Sequence, residues 1–203
     1  MRRSAYRRAR QSAGKTPTQS RLIAKIPQTT GDYLAGFVDG EGSFNVSFRP
    51  RRDYRQPWKV SLCFNISQRE NTLLVLFREL VEAGTTRRRA DGCWYYEANS
   101  LRAIRSSVIP FFERFGFLSL KRRRDFAKFR ELAQMMSEGR HLSYGGVVEI
   151  LRIRRDMNDG GKRRYSDAEI LRRYGKENPQ RLHARPAKAV MRQSELHGDV
   201  QSG

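Results

Sequence analysis

Two stretches of strict alternation constrain this chain more than any other feature. In "SFNVSFR", Phe44, Val46 and Phe48 alternate with Ser43, Asn45, Ser47 and Arg49. In "WKVSLCFNIS", Trp58, Val60, Leu62, Phe64 and Ile66 alternate with Lys59, Ser61, Cys63, Asn65 and Ser67. Successive side chains of a strand point to opposite faces, so each stretch reads as a strand with one apolar face and one polar, partly basic face. The loop "PRRDYRQP" joins the two into a hairpin whose apolar side must be covered by other parts of the chain.

The remaining segments supply that cover. A short helix, capped by Thr30 or Asp32, is expected to run through Asp39, with Gly42 releasing the chain into the first strand. "TLLVLFRELVEA", residues 72–83, has amphipathic helical spacing and is stopped by Gly84. "TTRRRADGCWYYEA" reads as two short strands around an Asp91–Gly92 turn. Ser100 caps "LRAIRSSVIPFFERF", where Pro110 is expected to kink or interrupt the chain because it lacks an amide hydrogen. A longer helix, "SLKRRRDFAKFRELAQMM", starts at about Ser119. "YGGVVEILRIRRDMN" is a further helix, 159–164 a polar break, and "SDAEILRRYG" a short capped helix. The order helix, strand, strand, helix, strand, strand, helix predicts an α+β fold, an antiparallel sheet covered on one face with extra C-terminal helices. The expected organisation is a basic, disordered arm over 1–26, a core over 27–140, a helical extension over 141–175 and a disordered tail over 176–203.

Charge narrows the function. Lys and Arg total 41 against 21 Asp and Glu, a formal charge of +20, which points first to a phosphate-bearing partner. Residues 1–31 hold eight basic residues and no acid, a composition that suits an arm on DNA phosphates and equally an organellar transit peptide. Cys63 and Cys93 have neither a disulfide pattern nor zinc spacing. No apolar run approaches the roughly 18 residues needed to span a bilayer, so no membrane partner is expected. The compartment cannot be read from the sequence.

The polar strand face is a candidate reading surface. Asn45, Ser47, Arg49, Lys59, Ser61 and Asn65, with Arg51 and Tyr54 in the loop and Arg87 and Arg89 in the second hairpin, offer amide, hydroxyl, phenol and guanidinium groups with few acids among them. Such groups pair with base edges and phosphates, and a two-stranded ribbon fits the major groove of double-stranded DNA.

The junction "YLAGFVDGEGSF", residues 33–44, is unusual on a second count. A helix carrying Gly36 and Gly40 gives up roughly 1 kcal/mol per glycine relative to alanine, so bare backbone is needed there. The free carbonyls at a helix end carry partial negative charge, and Glu41 adds a carboxylate, a combination that favours a hard cation such as Mg2+. One carboxylate makes a poor site. Two copies related by symmetry and completed by DNA phosphate oxygens make a good one, and the Gly36-x-x-x-Gly40 spacing beside Ala35 lets two backbones approach closely.

Together these residues resemble a known family. "LAGFVDGEG", Leu34 to Gly42, is similar to the LAGLIDADG motif of homing endonucleases, identical at Leu34, Ala35, Gly36, Asp39 and Gly42, with Glu41 at the second aspartate. "IPFFERFGFLSLKRRRDFAKF", residues 109–129, resembles the family's Pro-Phe segment leading into a lysine-bearing helix, and "MNDGGKRR" is a third match. The resemblance implies cleavage of DNA phosphodiesters by metal-assisted hydrolysis with Mg2+ or Mn2+, on a long pseudo-palindromic site. It places the metal on Glu41 and the Gly40 carbonyl, assigns Lys121 to charge stabilisation or water ordering, and assigns Gln68 to the water network. Some relatives carry a basic residue on the helix after this glutamine; here Thr72 stands there, so that role is vacant or falls to Arg69. A single motif implies a homodimer joined through Leu34, Ala35, Gly36 and Asp39. Two other functions of the same fold stay open: a maturase acting on intron RNA, and a catalytically silent DNA-binding regulator. Only His141, His183 and His197 are available for a histidine-metal nuclease, all outside the expected centre of the fold.

Overall fold

A computed structural model of the chain describes residues 18–51, 56–160 and 163–175. The hairpin takes the register that its alternation demands. Strand β1 (Gly42–Pro50) pairs antiparallel with β2 (Trp58–Gln68), setting Phe44 against Phe64, Val46 against Leu62 and Phe48 against Val60 on one face. Ser43 faces Asn65, Asn45 faces Cys63, Ser47 faces Ser61 and Arg49 faces Lys59 on the other. The second hairpin, β3 (Thr85–Arg88) and β4 (Trp94–Ala98), joins through β4 to give the order β1-β2-β4-β3. Its turn is closed by the Gly92 amide on the Arg89 carbonyl at 3.0 Å, with Gly92 at φ 83°, where glycine meets no Cβ penalty. Arg89 therefore lies one residue past β3, in the turn.

Helices cover the apolar face. Helix α1 (Thr18–Lys25) buries Ile23 and, with the residue that follows it, Ile26; the Ile23 carbonyl accepts from Arg114. This corrects the expected arm over 1–26. Residues 18–26 are ordered by two isoleucines too few to register as periodicity, whereas 1–17, like the expected tail over 176–203, lie outside the described residues. Helix α2 (Gln28–Glu41) begins after Pro27, which sits at the N-cap, and no side chain caps it. Thr30 and Asp32 lie inside the helix rather than at its cap; Asp32 instead accepts from Gln28 one turn earlier at 2.9 Å. The helix also continues two residues past Asp39, to Glu41.

Helix α3 (Thr72–Val81) ends two residues before the expected stop, because Glu82 already turns left-handed at φ 46°. Over 101–115 a single helical run, α4, joins Leu101–Ala103, a π-turn at Ile104–Val108 and Ile109–Phe115. Pro110 does not break it. The Ile109 amide reaches the Ile104 carbonyl five residues back, and this widened turn absorbs the proline's missing donor and ring. Helix α5 (Leu120–Ser137) is capped by Ser119, whose hydroxyl accepts from the Arg122 amide. A 3-10 turn (Arg140–Leu142), helix α6 (Tyr144–Arg155), a 3-10 turn (Met157–Gly160) and helix α7 (Asp167–Gly175) complete the described chain.

Aromatic rings fill the space between sheet and helices. Phe44, fully buried, lies 5.1 Å from Phe64, 4.9 Å from Phe129, 5.8 Å from Phe112 and 5.9 Å from Phe117, centroid to centroid. One residue thus joins β1, β2, α4, α5 and the 116–119 link. Phe44→Ala should cost about 3–5 kcal/mol in urea denaturation, the range for emptying a well-packed aromatic site; a loss below about 1 kcal/mol would show that this ring is not the hub of the core.

Candidate active site and nucleic-acid interface

Two helix ends meet beside the glycine-rich junction. Asp39, in the last turn of α2, accepts from the Ser119 amide at 2.9 Å with one carboxylate oxygen and from the Ser119 hydroxyl with the other. In return the buried Arg122 guanidinium donates twice to the Asp39 carbonyl, at 2.9 and 3.2 Å. A carboxylate at the N-terminus of α5 and a cation at the C-terminus of α2 each oppose the partial charge of the helix end they touch. Partial burial pushes the Asp39 carboxyl upward, but the Ser119 bonds, the Leu118 amide and Arg122 outweigh it and hold the group below the ordinary aspartate range.

This lock sets the sequence-predicted catalytic residues around one corner of the sheet. The carbonyls of Val38 and Asp39 are taken by Gly42 and Arg122; the next is that of Gly40, beside the exposed carboxylate of Glu41. Gln68 ends β2, two residues beyond the Gly42–Ile66 pair, at the same end of the sheet, where its side-chain Oε1 accepts from the Arg69 backbone amide at 2.8 Å. Lys121 stands in the first turn of α5, two residues from Ser119, and its ammonium is held by Asp159. The oxygen donors at the end of α2 suit a hard divalent cation. No group of three or more His, Cys, Asp or Glu able to hold a metal occurs among the described residues, so one copy offers a partial shell of one carboxylate and one carbonyl. Such a shell fits a cation that retains waters and accepts phosphate oxygens.

The exposed stripe of α2 differs from the expected interface. Leu34 and Ala35 are 0% and 3% exposed within the protomer, and Asp39 is bonded to Ser119, so these three turn inward. The outward residues are Tyr33, 62% exposed, and Gly36 and Gly40, over which a Cβ would meet nothing within 4 Å. Leu118 and Leu120, on either side of Ser119, are 88% and 81% exposed. Sequence reasoning passed over Tyr33, Leu118 and Leu120, because only the Asp39–Ser119 contact shows that they lie beside the open glycines.

The polar face of the sheet carries the other candidate residues. Asn45, Ser47, Ser61 and Asn65 are half-buried there, and Arg49 and Lys59 are exposed at its far end. Asn45 donates to the Ser43 hydroxyl at 3.0 Å, and the Ser47 hydroxyl to the Ser61 carbonyl at 3.5 Å. The Arg51 amide closes the hairpin on the Pro57 carbonyl at 2.9 Å, while Tyr54 lies outside the described residues. Arg87 and Arg89 both lie over the Tyr95 ring, 5.1 and 5.6 Å from its centroid. Tyr95 belongs to this face, opposite both Ser67 and Arg87; sequence reasoning assigned it no role. Burial pushes its phenol up to about 12, so it stays a neutral donor. Glu97 is the single acid in the described strands.

The residues match known proteins in the same pattern. Residues 34–133 fit the LAGLIDADG endonuclease family model. "Probable intron-encoded endonuclease 2" of Neurospora crassa is 26% identical over 151 residues, covering 68% of this chain and 33% of that protein. "DNA endonuclease I-CeuI" of Chlamydomonas moewusii is 26% identical over 115 residues, covering 54% of this chain and 53% of that protein. The chain thus spans about a third to a half of these curated relatives. The crystal structure of the homing endonuclease I-TnaI superposes with a TM-score of 0.59 at 31% identity, over 72% of this chain and 96% of that one. The chain belongs to the LAGLIDADG homing endonuclease family.

The helix-end lock makes a test that needs no substrate. Ser119→Ala and Asp39→Asn should each cost about 0.5–2 kcal/mol in urea unfolding at neutral pH, as loss of a helix cap does. Because the folded carboxyl of Asp39 is depressed, its contribution is complete above the ordinary aspartate value and is lost as pH falls through the folded one. The gap between wild type and Asp39→Asn should therefore close below about pH 4; a gap that widens on acidification would contradict the assignment.

Proposed function

We propose that this chain is a site-specific DNA endonuclease that hydrolyses phosphodiesters with a divalent metal, acting as a homodimer on a long, roughly palindromic site. The observation that carries this reading is the exposed Glu41 carboxylate and neighbouring Gly40 carbonyl at the end of α2, at one corner of a basic, acid-poor sheet face. I-CeuI, which this chain resembles, is named as a DNA endonuclease.

The work divides by position. The sheet face holds the duplex: Arg49, Arg51, Lys59, Arg87 and Arg89 neutralise phosphates, and Asn45, Ser47, Ser61, Asn65 and Tyr54 supply donors and acceptors for base edges. Glu41 and the Gly40 carbonyl would hold Mg2+ or Mn2+. Bound there, the metal supplies Lewis acidity to an attacking water and to the developing charge. Gln68 orders the water, and Lys121 offsets negative charge on the phosphate. No covalent nucleophile is needed.

Dimerisation completes the site. One chain has one motif helix and one metal-binding carboxylate, whereas a double-strand cut requires both twice. The stripe of Tyr33, Gly36 and Gly40, continued by Leu118 and Leu120, is exposed and largely apolar, and the bare glycines would allow backbone to meet backbone across a two-fold axis.

Four outcomes are expected. Glu41→Gln should abolish cutting of a plasmid library carrying randomised sites in Mg2+ while leaving binding nearly intact; cleavage at the wild-type rate would remove Glu41 from the metal site. Affinity should fall steeply with salt, as log K declines in proportion to the phosphates neutralised, and a flat salt profile in filter binding would overturn the reading surface. Gly36→Leu should split the dimer in analytical ultracentrifugation, since extra volume at a packed contact costs about 1–3 kcal/mol. Leu118→Glu should do the same without lowering protomer stability. A wild-type chain that stays monomeric at micromolar concentration would refute the homodimer. A chain that binds DNA or its intron RNA without ever cutting would instead be a regulator or a maturase.

A further inference from the structure

The Met157–Gly160 turn touches both the reading strand and the active-site lysine. Asn158 and Asp159 stand in consecutive left-handed conformations, at φ 53° and 52°. Asparagine and aspartate tolerate this region better than other non-glycine residues, but two in succession need support from outside. Three contacts give it. The Asn158 side-chain amide donates to the Phe44 carbonyl on the outer edge of β1 at 2.8 Å and to the Asn45 side chain at 3.1 Å. The Asn158 backbone amide donates to the fully buried Asp125 at 3.4 Å. The turn is thereby pinned to β1 and α5, and Asp159 is carried over the first turn of α5. There one carboxylate oxygen takes the Lys121 ammonium and the other takes the Arg124 guanidinium at 2.7 Å.

We propose that Asp159 is a positioning residue for Lys121, fixing the ammonium beside the Glu41 end of α2 before DNA arrives. The proposal rests on the reading of Lys121 as the charge-stabilising lysine. An exposed ion pair between two mobile side chains is worth little, because ordering both consumes most of the attraction. Here the backbone that carries one partner is anchored by the Asn158 bonds, which do not involve the lysine, and Arg124 holds the carboxylate's other oxygen. Arg124 occupies the second oxygen, so Lys121 has one acceptor and one direction. Hydrogen bonds from Lys121 and then Arg124 hold the Asp159 carboxyl below the ordinary range, so it remains charged wherever the enzyme would work. A lysine has a four-carbon stem with many rotamers, and holding it near its reacting position removes an entropic part of the barrier. The anchor on Asn45 further ties that position to a residue of the reading face.

The test uses full-length protein and a duplex carrying the cut site recovered from a randomised plasmid library. Single-turnover cleavage is measured in Mg2+, and affinity for the same duplex in Ca2+. Asp159→Asn keeps the shape and suits the left-handed backbone; it should lower the cleavage rate about tenfold, with affinity within about twofold and an unchanged melting temperature. Asn158→Gly, which keeps the backbone freedom but loses both side-chain bonds, should slow cleavage in the same way. In a Lys121→Met background, already slow, Asp159→Asn should add nothing, because an effect exerted through the lysine disappears with it. The proposal is overturned if Asp159→Asn cuts at the wild-type rate while Lys121→Met is slow, or if it slows both backgrounds equally, as a merely structural residue would. Lys121→Met cutting at the wild-type rate would overturn it by a different route, by removing the lysine from the reaction.

Discussion

The ends of α2 and α5 are held together by reciprocal capping, and most of what the molecule offers follows from that contact. Asp39 supplies a carboxylate to the free amides of one helix, and Arg122 supplies a guanidinium to a free carbonyl of the other. Each charge is satisfied by a helix end of opposite sign, so neither needs water or a simple ion pair. The cost is that α2 cannot end in the usual glycine cap. It passes directly into β1 at Gly42, and the residues between lock and strand, Gly40 and Glu41, are left at the surface. The exposure of the Glu41 carboxylate is thus a consequence of how its neighbour Asp39 is held.

The sheet separates support from recognition by parity alone. Because β1 and β2 keep one unbroken register, the apolar residues at the Phe44 parity (Phe44 and Phe48, with Trp58, Val60, Leu62, Phe64 and Ile66) enter the core, and those at the Asn45 parity lie on the opposite face. A slip of one residue would expose the phenylalanines and bury the guanidinium and amide groups together, so the fold and the reading surface stand or fall as one. Like-charge repulsion is moderated locally: Arg87 and Arg89 both lie against the Tyr95 ring, and Glu97 sits between Asn65 and Thr85. What repulsion remains is the driving force for taking up phosphates.

Features set by local pattern were legible in the sequence; those set by distant contacts were not. The hairpin register, the Ser119 cap and the Gly42 junction depend on residues a few positions apart, and periodicity or cap chemistry is enough to find them. The Asp39–Ser119 bond joins residues 80 apart, and the Asn158–Phe44 bond joins residues 114 apart, with no periodic signature to announce either. The same limit explains the interface. Glycine spacing identified a helix built for close approach, but which of its sides faces outward depends on α4 and the core beneath it, and that packing turns Leu34 and Ala35 inward and Tyr33 outward. Proline at 110 failed as a breaker because a π-turn can accommodate it inside a well-packed helix.

The C-terminal helices brace the β1–β2 hairpin rather than hang from it. Strand β1 is an edge strand, and an edge with free carbonyls and amides is a liability unless something covers it. Asn158 covers the Phe44 carbonyl near the catalytic end. At the far end, Trp58 donates its indole to the Ile170 carbonyl at 3.1 Å, stacks edge-on with Tyr165 and lies under Arg173, while Arg154 lies over Phe48. These contacts hold the hairpin where Arg49 and Lys59 face each other, two like charges opposite one another across the ladder, an arrangement that disfavours pairing. Helix α6, the Met157–Gly160 turn and helix α7 thus brace the hairpin at both ends of β1.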